Sequence, residues 1–187
     1  MILRAPAKVN LCLRLGPLRS DGYHRLSTLF QAIDLYDEME LAPAAETTVE
    51  GFPDDTLVRA ALDALGEIRH VRLRKRIPVA AGLSTAEVFA ASQPNPIFRA
   101  VEGDLIRAMH TVRGVADVAA LMANDLQPAV LRMRPQVADA LDTLHAAGAL
   151  AQIVTGSGPT AFGLFEHRAA AEEAAAAIPE ALAASPV

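Results

Sequence analysis

Residues 5–35 constrain the fold most, because they have the pattern of a strand, a tight turn and a second strand. Leucines at every second position of residues 11–15 are typical of a strand. Lys8 and Asn10 precede them and lie two residues apart, so on such a strand their polar heads emerge on one face. The segment 20–22, Ser-Asp-Gly, then predicts a turn. The chain therefore opens with a hairpin-like unit that carries polar groups.

An aromatic pair, Tyr23 and His24, follows that turn directly. Together with Lys8 and Asn10, the pair supplies a cation, an amide, a phenol ring and an imidazole from neighbouring segments. Such a set suits a polar, partly aromatic, phosphorylated ligand. A second interpretation stays open at this point. A lone lysine on a strand is often a solvated edge residue, and a Tyr-His pair after a turn often only packs.

Length and charge limit the classes of function. At 187 residues, the chain forms one large domain or two small ones. Its 22 acidic and 17 basic residues give a net charge of −5, which argues against general binding to nucleic acids or anionic membranes. Cys12 is the only cysteine, so we expect a small buried hydrophobic residue. No apolar run resembles a signal peptide or a membrane span, so we expect a cytoplasmic protein.

The rest of the chain mixes strands and helices. A strand at 70–77 carries three arginines on one face, which form either a phosphate clamp or, as we favour, a solvated face. Ser84 is predicted to cap a helix that starts there. The other predicted elements are strands at 33–41 and 47–52, a helix capped by Asp54 and Asp55 with an apolar face of Leu57, Val58, Ala61, Leu62 and Leu65, helices at 104–111 (Leu105, Ile106 and Met109 inward) and 115–122, and a helix with Pro135 at N1.

Two short segments contain glycines that could expose backbone N–H groups to an anion. Residues 80–82 read Ala-Ala-Gly, so only Gly82 remains of a glycine-rich loop there. Gly156, Ser157 and Gly158 lie between a strand and a second strand or helix. An isolated G-x-G turn is more often a hairpin than a binding loop, so the residues alone do not decide between the two.

Several motifs resemble those of one enzyme family. A-P-A-K-V-N-L, D-G-Y-H and T-L-F-Q near the start, N-D-L-Q-P-A-V at 124–130 and the glycine turn at 156–158 resemble the GHMP small-molecule kinases. D-G-Y-H in this place points to the members that phosphorylate 4-diphosphocytidyl-2-C-methyl-D-erythritol. The resemblance covers both ends of such a kinase and skips its middle, including most of the glycine loop. A deletion in the gene, a trimmed chain or omitted residues would each produce this gap.

The resemblance implies an α+β fold in two lobes. The lobe at 1–83 would be like domain 2 of ribosomal protein S5 and incomplete, and the lobe at 84–187 would be ferredoxin-like. The implied activity is ATP-dependent phosphorylation of a hydroxyl of the cytidine diphosphate-linked methylerythritol, in the non-mevalonate route to isoprenoids. ATP, with Mg²⁺, and this small molecule are the implied ligands. The oligomeric state is left open.

The resemblance also implies roles for individual residues. Lys8 would be catalytic, and Asn10 would bind the polyol. Tyr23 would stack on cytosine and His24 would bind its edge, whereas Phe30 either lines that pocket or belongs to the core. The residues implied in binding the ATP phosphates are Ala80, Ala81, Gly82, Gly156, Ser157 and Gly158. No residue is implied as the general base, and none as a metal ligand. The alternative is a catalytically impaired relic that keeps the cytidine pocket but lacks the ATP loop.

Overall fold

The computed structural model describes residues 1–51, 56–78 and 82–187 and shows a mixed α+β fold, which confirms the predicted class. The predicted cap at Asp54 and Asp55 lies outside the described residues. In chain order, the elements are β1 (Ile2–Leu18), β2 (His24–Pro43), β3 (Thr48–Glu50), α1 (Thr56–Leu65), β4 (Arg69–Arg74), α2 (Thr85–Ala90), α3 (Phe98–Met109), α4 (Val115–Leu121), β5 (Ala123–Asn124), α5 (Gln127–Met133), α6 (Gln136–Ala146), β6 (Ala151–Val154), β7 (Ala161–Leu164) and α7 (Arg168–Ala177).

The opening hairpin is confirmed. Between β1 and β2, the N–H of Arg19 donates to the Tyr23 carbonyl at 2.8 Å, and Asp21 accepts from the N–H of Tyr23. Gly22 has φ +82°, a left-handed conformation that glycine adopts without a steric cost. The strand predicted at 33–41 is part of β2, which is continuous from His24 to Pro43.

The chain divides into two compact units. One contains residues 1–7 and 32–79, and the other contains residues 8–31 and 80–187. The boundary predicted between residues 83 and 84 remains a proposal. Among the described residues, every helix is too short or too polar to cross a lipid bilayer.

The first unit is built on β4, which pairs antiparallel with the end of β2 and parallel with β3. Val71 and Leu73 of β4 are buried, and Arg72 and Arg74, which alternate with them, are exposed. Arg72 pairs with Glu40 and Glu50, so the solvated arginine face is confirmed. The apolar face predicted for α1 is only partly right, because Leu62 is buried but Leu57 and Leu65 are exposed. So small a unit has too little interior to bury a full helix face.

Asp37 of β2 is buried and accepts hydrogen bonds from the N–H groups of Arg76 (2.8 Å) and Ile77 (3.0 Å) and from the Lys75 ammonium. Burial alone raises the pKa of Asp37, but these bonds outweigh it and hold the pKa below its usual range. Because the folded pKa lies below the unfolded value of about 3.9, the stabilisation is complete above about pH 4. It is lost as the pH falls through the folded pKa.

We therefore expect Asp37→Asn to unfold more easily than the wild type at pH 7. The difference should shrink as the pH falls below about 4, because protonation removes the same charge from the wild type. Urea unfolding followed by circular dichroism between pH 7 and 3 measures this. Asp63→Asn, on the exposed face of α1, is the matched control. A pH-independent difference between Asp37→Asn and the wild type would contradict the prediction.

The second unit contains the larger core. Leu13 and Leu15 of β1 pack with helices α2, α5 and α6 and with Val154 of β6. Within this unit, β1 pairs in parallel with β5, and β6 pairs antiparallel with β7. Cys12 is buried as predicted, and burial raises the pKa of its thiol. The fully or nearly fully buried core residues are Leu13, Leu15, Val88, Leu126, Ala129, Val130, Val137, Leu141 and Val154.

One helix prediction in this unit is confirmed, and another is partly wrong. Ser84 caps α2 as predicted, since its hydroxyl accepts from the N–H of Glu87. The helix predicted at 104–111 begins six residues earlier, and its buried residues are Phe98 and Leu105. These two are seven residues apart and lie on one helix face. Ile106 and Met109 were predicted to point inward, but both are exposed.

Candidate functional site

Lys8 and Asn10 meet on one face of β1, as the strand alternation predicts. The Lys8 ammonium donates to Asn10 Oδ1 at 2.8 Å. Asn10 is only 3% exposed, and an amide so well buried needs hydrogen-bond partners. It finds them in Thr28, which accepts from Nδ2 at 2.9 Å, and in Thr155, which accepts from the backbone N–H at 2.9 Å. The lysine head is therefore held by a buried and fully engaged amide oxygen.

Phe30 lies beside this lysine. The Lys8 ammonium is 5.1 Å from the centre of the Phe30 ring, within range of a cation–π interaction. Phe30 is 55% exposed, so the alternative that it belongs to the core is wrong. Its ring forms an apolar wall next to the only cation that contacts Asn10 in the described part of the chain.

The glycine turn lies between β6 and β7 and is close to Asn10. Gly156 and Gly158 have φ +58° and +69°, and a Cβ built on Gly156 would lie 3.6 Å from Asn10 Oδ1. Within the turn, the N–H of Gly158 donates to Thr155. Across the described ranges, no acceptor is recorded for the N–H groups of Gly156 and Ser157. Two backbone donors are thus available to an anion near the Lys8–Asn10 pair.

The N-D-L-Q segment holds this turn in place. Asn124 Nδ2 donates to the carbonyls of Val154 (2.7 Å) and Gly156 (2.8 Å), and its Oδ1 accepts from Leu126 N–H (2.9 Å). Asp125 accepts from Arg14 and from the N–H of Leu15. Asn124 therefore has a structural role at the glycine turn, whereas Asp125 is bonded to β1.

Tyr23 and His24 lie on the hairpin. Tyr23 is 75% exposed. The Nδ1 atom of His24 is 2.9 Å from the Gly16 carbonyl, and because a carbonyl only accepts, Nδ1 must carry the hydrogen. In neutral His24 the Nε2 atom is then an acceptor. The Phe89 ring lies 6.3 Å from the His24 ring.

The predicted site residues thus fall into two groups. Lys8, Asn10 and Phe30 are brought together, next to the glycine turn. Tyr23 and His24 form a second group, and no hydrogen bond or ring contact in the described ranges joins them to Lys8. Gly82 is exposed, whereas Ala80 and Ala81 lie outside the described residues.

The prediction from sequence missed Thr28, Phe89 and Thr155. Thr155 directly precedes the glycine turn, and Thr28 is two residues from Phe30 on the same strand. Position and alternation could therefore have pointed to both threonines. Phe89 follows the Ser84 cap by five residues, but nothing in its local sequence connects it with His24.

Known proteins resemble this chain in sequence and in fold. Residues 105–184 match the family model described as GHMP kinases C terminal. A crystal structure of 4-(cytidine 5'-diphospho)-2C-methyl-D-erythritol kinase shares the fold, with a TM-score of 0.72, 22% identity and coverage of 100% of this chain and 98% of the other. The homoserine kinase of Cytophaga hutchinsonii shares it with a TM-score of 0.62, 13% identity and coverage of 94% and 89%. The solved structures thus show the fold of GHMP-class small-molecule kinases, and residues 105–184 match the C-terminal domain of that class.

Two relatives identify the family within this class. The 4-diphosphocytidyl-2-C-methyl-D-erythritol kinase of Salinispora tropica is 31% identical, with 93% of this chain and 86% of the relative covered. The enzyme of the same name from Thermobifida fusca is 28% identical, with 94% and 90% covered. This chain belongs to the 4-diphosphocytidyl-2-C-methyl-D-erythritol kinase family, which confirms the resemblance found in the sequence.

The alignment with the T. fusca enzyme also shows how many positions of the relative have no counterpart in this chain. It extends over 279 positions, although this chain has 187 residues, so at least 92 positions of the alignment have no residue of this chain. The match still covers 94% of this chain and 90% of the relative. Most of the missing positions therefore fall inside the alignment, as expected if the motifs cover both ends of the kinase and skip its middle.

Proposed function

We propose that this chain transfers the γ-phosphoryl group of ATP to a hydroxyl of 4-diphosphocytidyl-2-C-methyl-D-erythritol, in the cytoplasm, as a step of non-mevalonate isoprenoid synthesis. One observation carries the proposal. The Lys8 ammonium is held at 2.8 Å by a buried amide, next to a turn with two available N–H donors. Phosphoryl transfer depends on such positioning and on fixed charges that stabilise the transition state.

Lys8 would contact the transferring phosphoryl group or the attacking hydroxyl. Its ammonium has three hydrogens, and Asn10 accepts one of them. The others are available to favour a developing alkoxide or the charge on the transferring group. Asn10 would bind the polyol through the Nδ2 hydrogen that Thr28 does not accept. No described side chain is assigned as the general base.

Tyr23 and His24 would bind the cytosine. An exposed tyrosine ring can stack on a base without reorganising a core. The Nε2 lone pair of neutral His24 matches the exocyclic amino group of cytosine, which is a donor. Phe89, beside His24, offers a second apolar surface, and Phe30 would line the path toward Lys8.

Gly156, Ser157 and Gly158 would bind the ATP phosphates through the turn's N–H groups, and residues 80–82 would contribute from the other predicted loop. The fit is supported by the positive φ of Gly156 and Gly158, which only glycine tolerates well. No group of three or more described His, Cys, Asp or Glu side chains could hold a metal. Magnesium would bind to the ATP phosphates and keep several waters, as this ion usually does.

A relic that binds cytidine but handles ATP poorly is the second candidate. It is favoured by the 92 or more alignment positions without a residue of this chain. Each lost donor to developing charge typically lowers the rate by about 10²–10³-fold. A chain with most of its glycine loop missing would then turn over very slowly.

Calorimetry with cytidine diphosphate and, separately, with a non-hydrolysable ATP analogue distinguishes the candidates. Binding of both, together with ADP release that depends on the methylerythritol substrate, supports the kinase. Binding of cytidine diphosphate without binding of the ATP analogue supports the relic. Failure to bind either compound would contradict both candidates.

Tyr23→Ala should weaken the binding of cytidine diphosphate by about 5–150-fold, because stacking on an aromatic ring contributes about 1–3 kcal/mol per base. His24→Ala should weaken it as well, through loss of the Nε2 acceptor. His145→Ala, on an exposed position of α6, is the matched control. Calorimetric titration of each variant measures the effect. Unchanged affinity in both Tyr23→Ala and His24→Ala would place the cytidine elsewhere.

A further inference from the structure

Two threonines from distant parts of the chain hold Asn10. Thr28 lies on β2, and its hydroxyl is 2.9 Å from Asn10 Nδ2 and 2.8 Å from the Cys12 carbonyl. Thr155 lies just after β6, and its hydroxyl is 2.9 Å from the backbone nitrogen of Asn10 and 3.3 Å from Asn10 Oδ1. Both side chains are half-buried.

The direction of every hydrogen bond in this network is determined. A carbonyl only accepts, so the Thr28 hydroxyl donates its single hydrogen to the Cys12 carbonyl. It must therefore accept the hydrogen bond from Asn10 Nδ2. A backbone N–H only donates, so the Thr155 oxygen accepts from Asn10 and its own hydrogen is available to Oδ1. An ammonium only donates, so Lys8 also points to Oδ1.

These directions lock the amide of Asn10 in one orientation. If the amide turned over, its NH₂ group would face the Lys8 ammonium and the Thr155 hydroxyl, and its oxygen would face a Thr28 hydroxyl that has no hydrogen left to donate. Lys8 is a flexible side chain with a strongly hydrated head, so its position depends on having one fixed acceptor. The two threonines supply that acceptor through Asn10.

We propose that Thr28 and Thr155 are positioning residues for phosphoryl transfer, which act through Asn10 to fix the Lys8 ammonium. This inference rests on the proposed function for its catalytic consequence. Thr155 also begins the turn of Gly156 and Ser157, so one hydroxyl sets both the lysine and the start of the phosphate-binding turn. A displacement of about 1 Å in such a group can lower a rate by about 10²-fold.

The chain offers a direct measurement, because Lys8 and Lys75 are its only lysines. Protein labelled with ¹³C in lysine alone gives two sets of side-chain NMR signals. Relaxation of the Cε signals reports how far each lysine head moves. In Thr28→Val and Thr155→Val, which keep the shape but lose the hydroxyl, we expect Lys8 to become more mobile. Lys75 contacts Asp37 in the first unit and serves as the internal reference.

Kinetics provide the second measurement. We expect kcat to fall by about 10–100-fold in each valine variant. KM for the cytidine substrate should change less than kcat, because the hydroxyls affect the substrate only through Asn10. Thr28→Ser and Thr155→Ser keep the hydroxyl and should restore both kcat and the lysine mobility. Thr143→Val, an exposed position on α6, controls for the substitution itself.

The outcomes separate the inference from the proposed function. Mobile Lys8 in both valine variants and rigid Lys8 in both serine variants support the positioning role, and this holds even for a chain without turnover. Unchanged Lys8 mobility in the valine variants, or serine variants that behave like valine, overturns it. If the wild type releases no ADP, phosphoryl transfer fails as the function, and the lysine relaxation still decides the positioning role. Thermal melting of each variant identifies a folding defect, in which case the serine variants decide.

Discussion

Replacing Lys8 with methionine is expected to lower the rate of substrate-dependent ADP release by about 10²–10³-fold. Methionine keeps the length of the side chain but removes the charge that Asn10 holds at 2.8 Å. The lost interaction is strongest in the transition state, so kcat should fall more than affinity for either substrate. Coupled measurement of ADP at saturating substrates gives the effect directly.

Two comparisons make this result specific. Arg107→Met removes one positive charge from the exposed surface of α3 and should leave turnover unchanged. Calorimetry of Lys8→Met with cytidine diphosphate should give wild-type affinity, since Tyr23 and His24 are assigned to that ligand. A decrease of less than about threefold in kcat would show that Lys8 does not contact the reacting groups, because an electrostatic contact of this kind is worth far more.

Asn124→Asp should be the most destabilising single exchange proposed here. The amide nitrogen of Asn124 donates to two carbonyl oxygens, at 2.7 and 2.8 Å, in a buried position. Aspartate replaces that donor with a charged acceptor that faces both carbonyls. A buried unpaired charge strongly destabilises the folded state. We expect the free energy of unfolding to fall by roughly 3 kcal/mol or more at pH 7.

The pH dependence identifies the cause. Burial next to two carbonyls raises the pKa of an introduced carboxyl above its unfolded value of about 3.9. The folded variant therefore takes up a proton as the pH falls, and its defect should become smaller between pH 7 and 5. Urea unfolding measures both values, with Gln136→Glu on the exposed start of α6 as the control. A defect that stays constant with pH would point to lost packing rather than to charge.

Local patterns predicted much of this structure. The alternation of residues 11–15, the turn at Gly22 and the cap at Ser84 depend on neighbours in sequence, and all three are confirmed. The alternation of residues 70–74 also predicted the solvated arginine face, although not the partners of Arg72, Glu40 and Glu50. The motifs that resemble GHMP kinases added the fold class and the family.

What could not be predicted depends on distant contacts. Thr155 meets Asn10 across 145 positions of sequence, and no local period encodes such a pairing. The early start of α3 follows from burial of Phe98, which only the assembled core provides. Phe30 has an apolar ring that suits a core, yet it is 55% exposed and lies beside Lys8.

The same long separation affects how the protein is made. Asn10, the acceptor of Lys8, leaves the ribosome early, but the Thr155 hydroxyl that helps to fix it follows 145 residues later. At about 5–20 residues per second, that delay is roughly 7–30 seconds. During this time β1 is synthesised, but its partner strand β5 and the later helices of its core are not. Exposed strands of this kind associate readily with other chains. Yield on expression should therefore depend on chaperone supply and growth temperature.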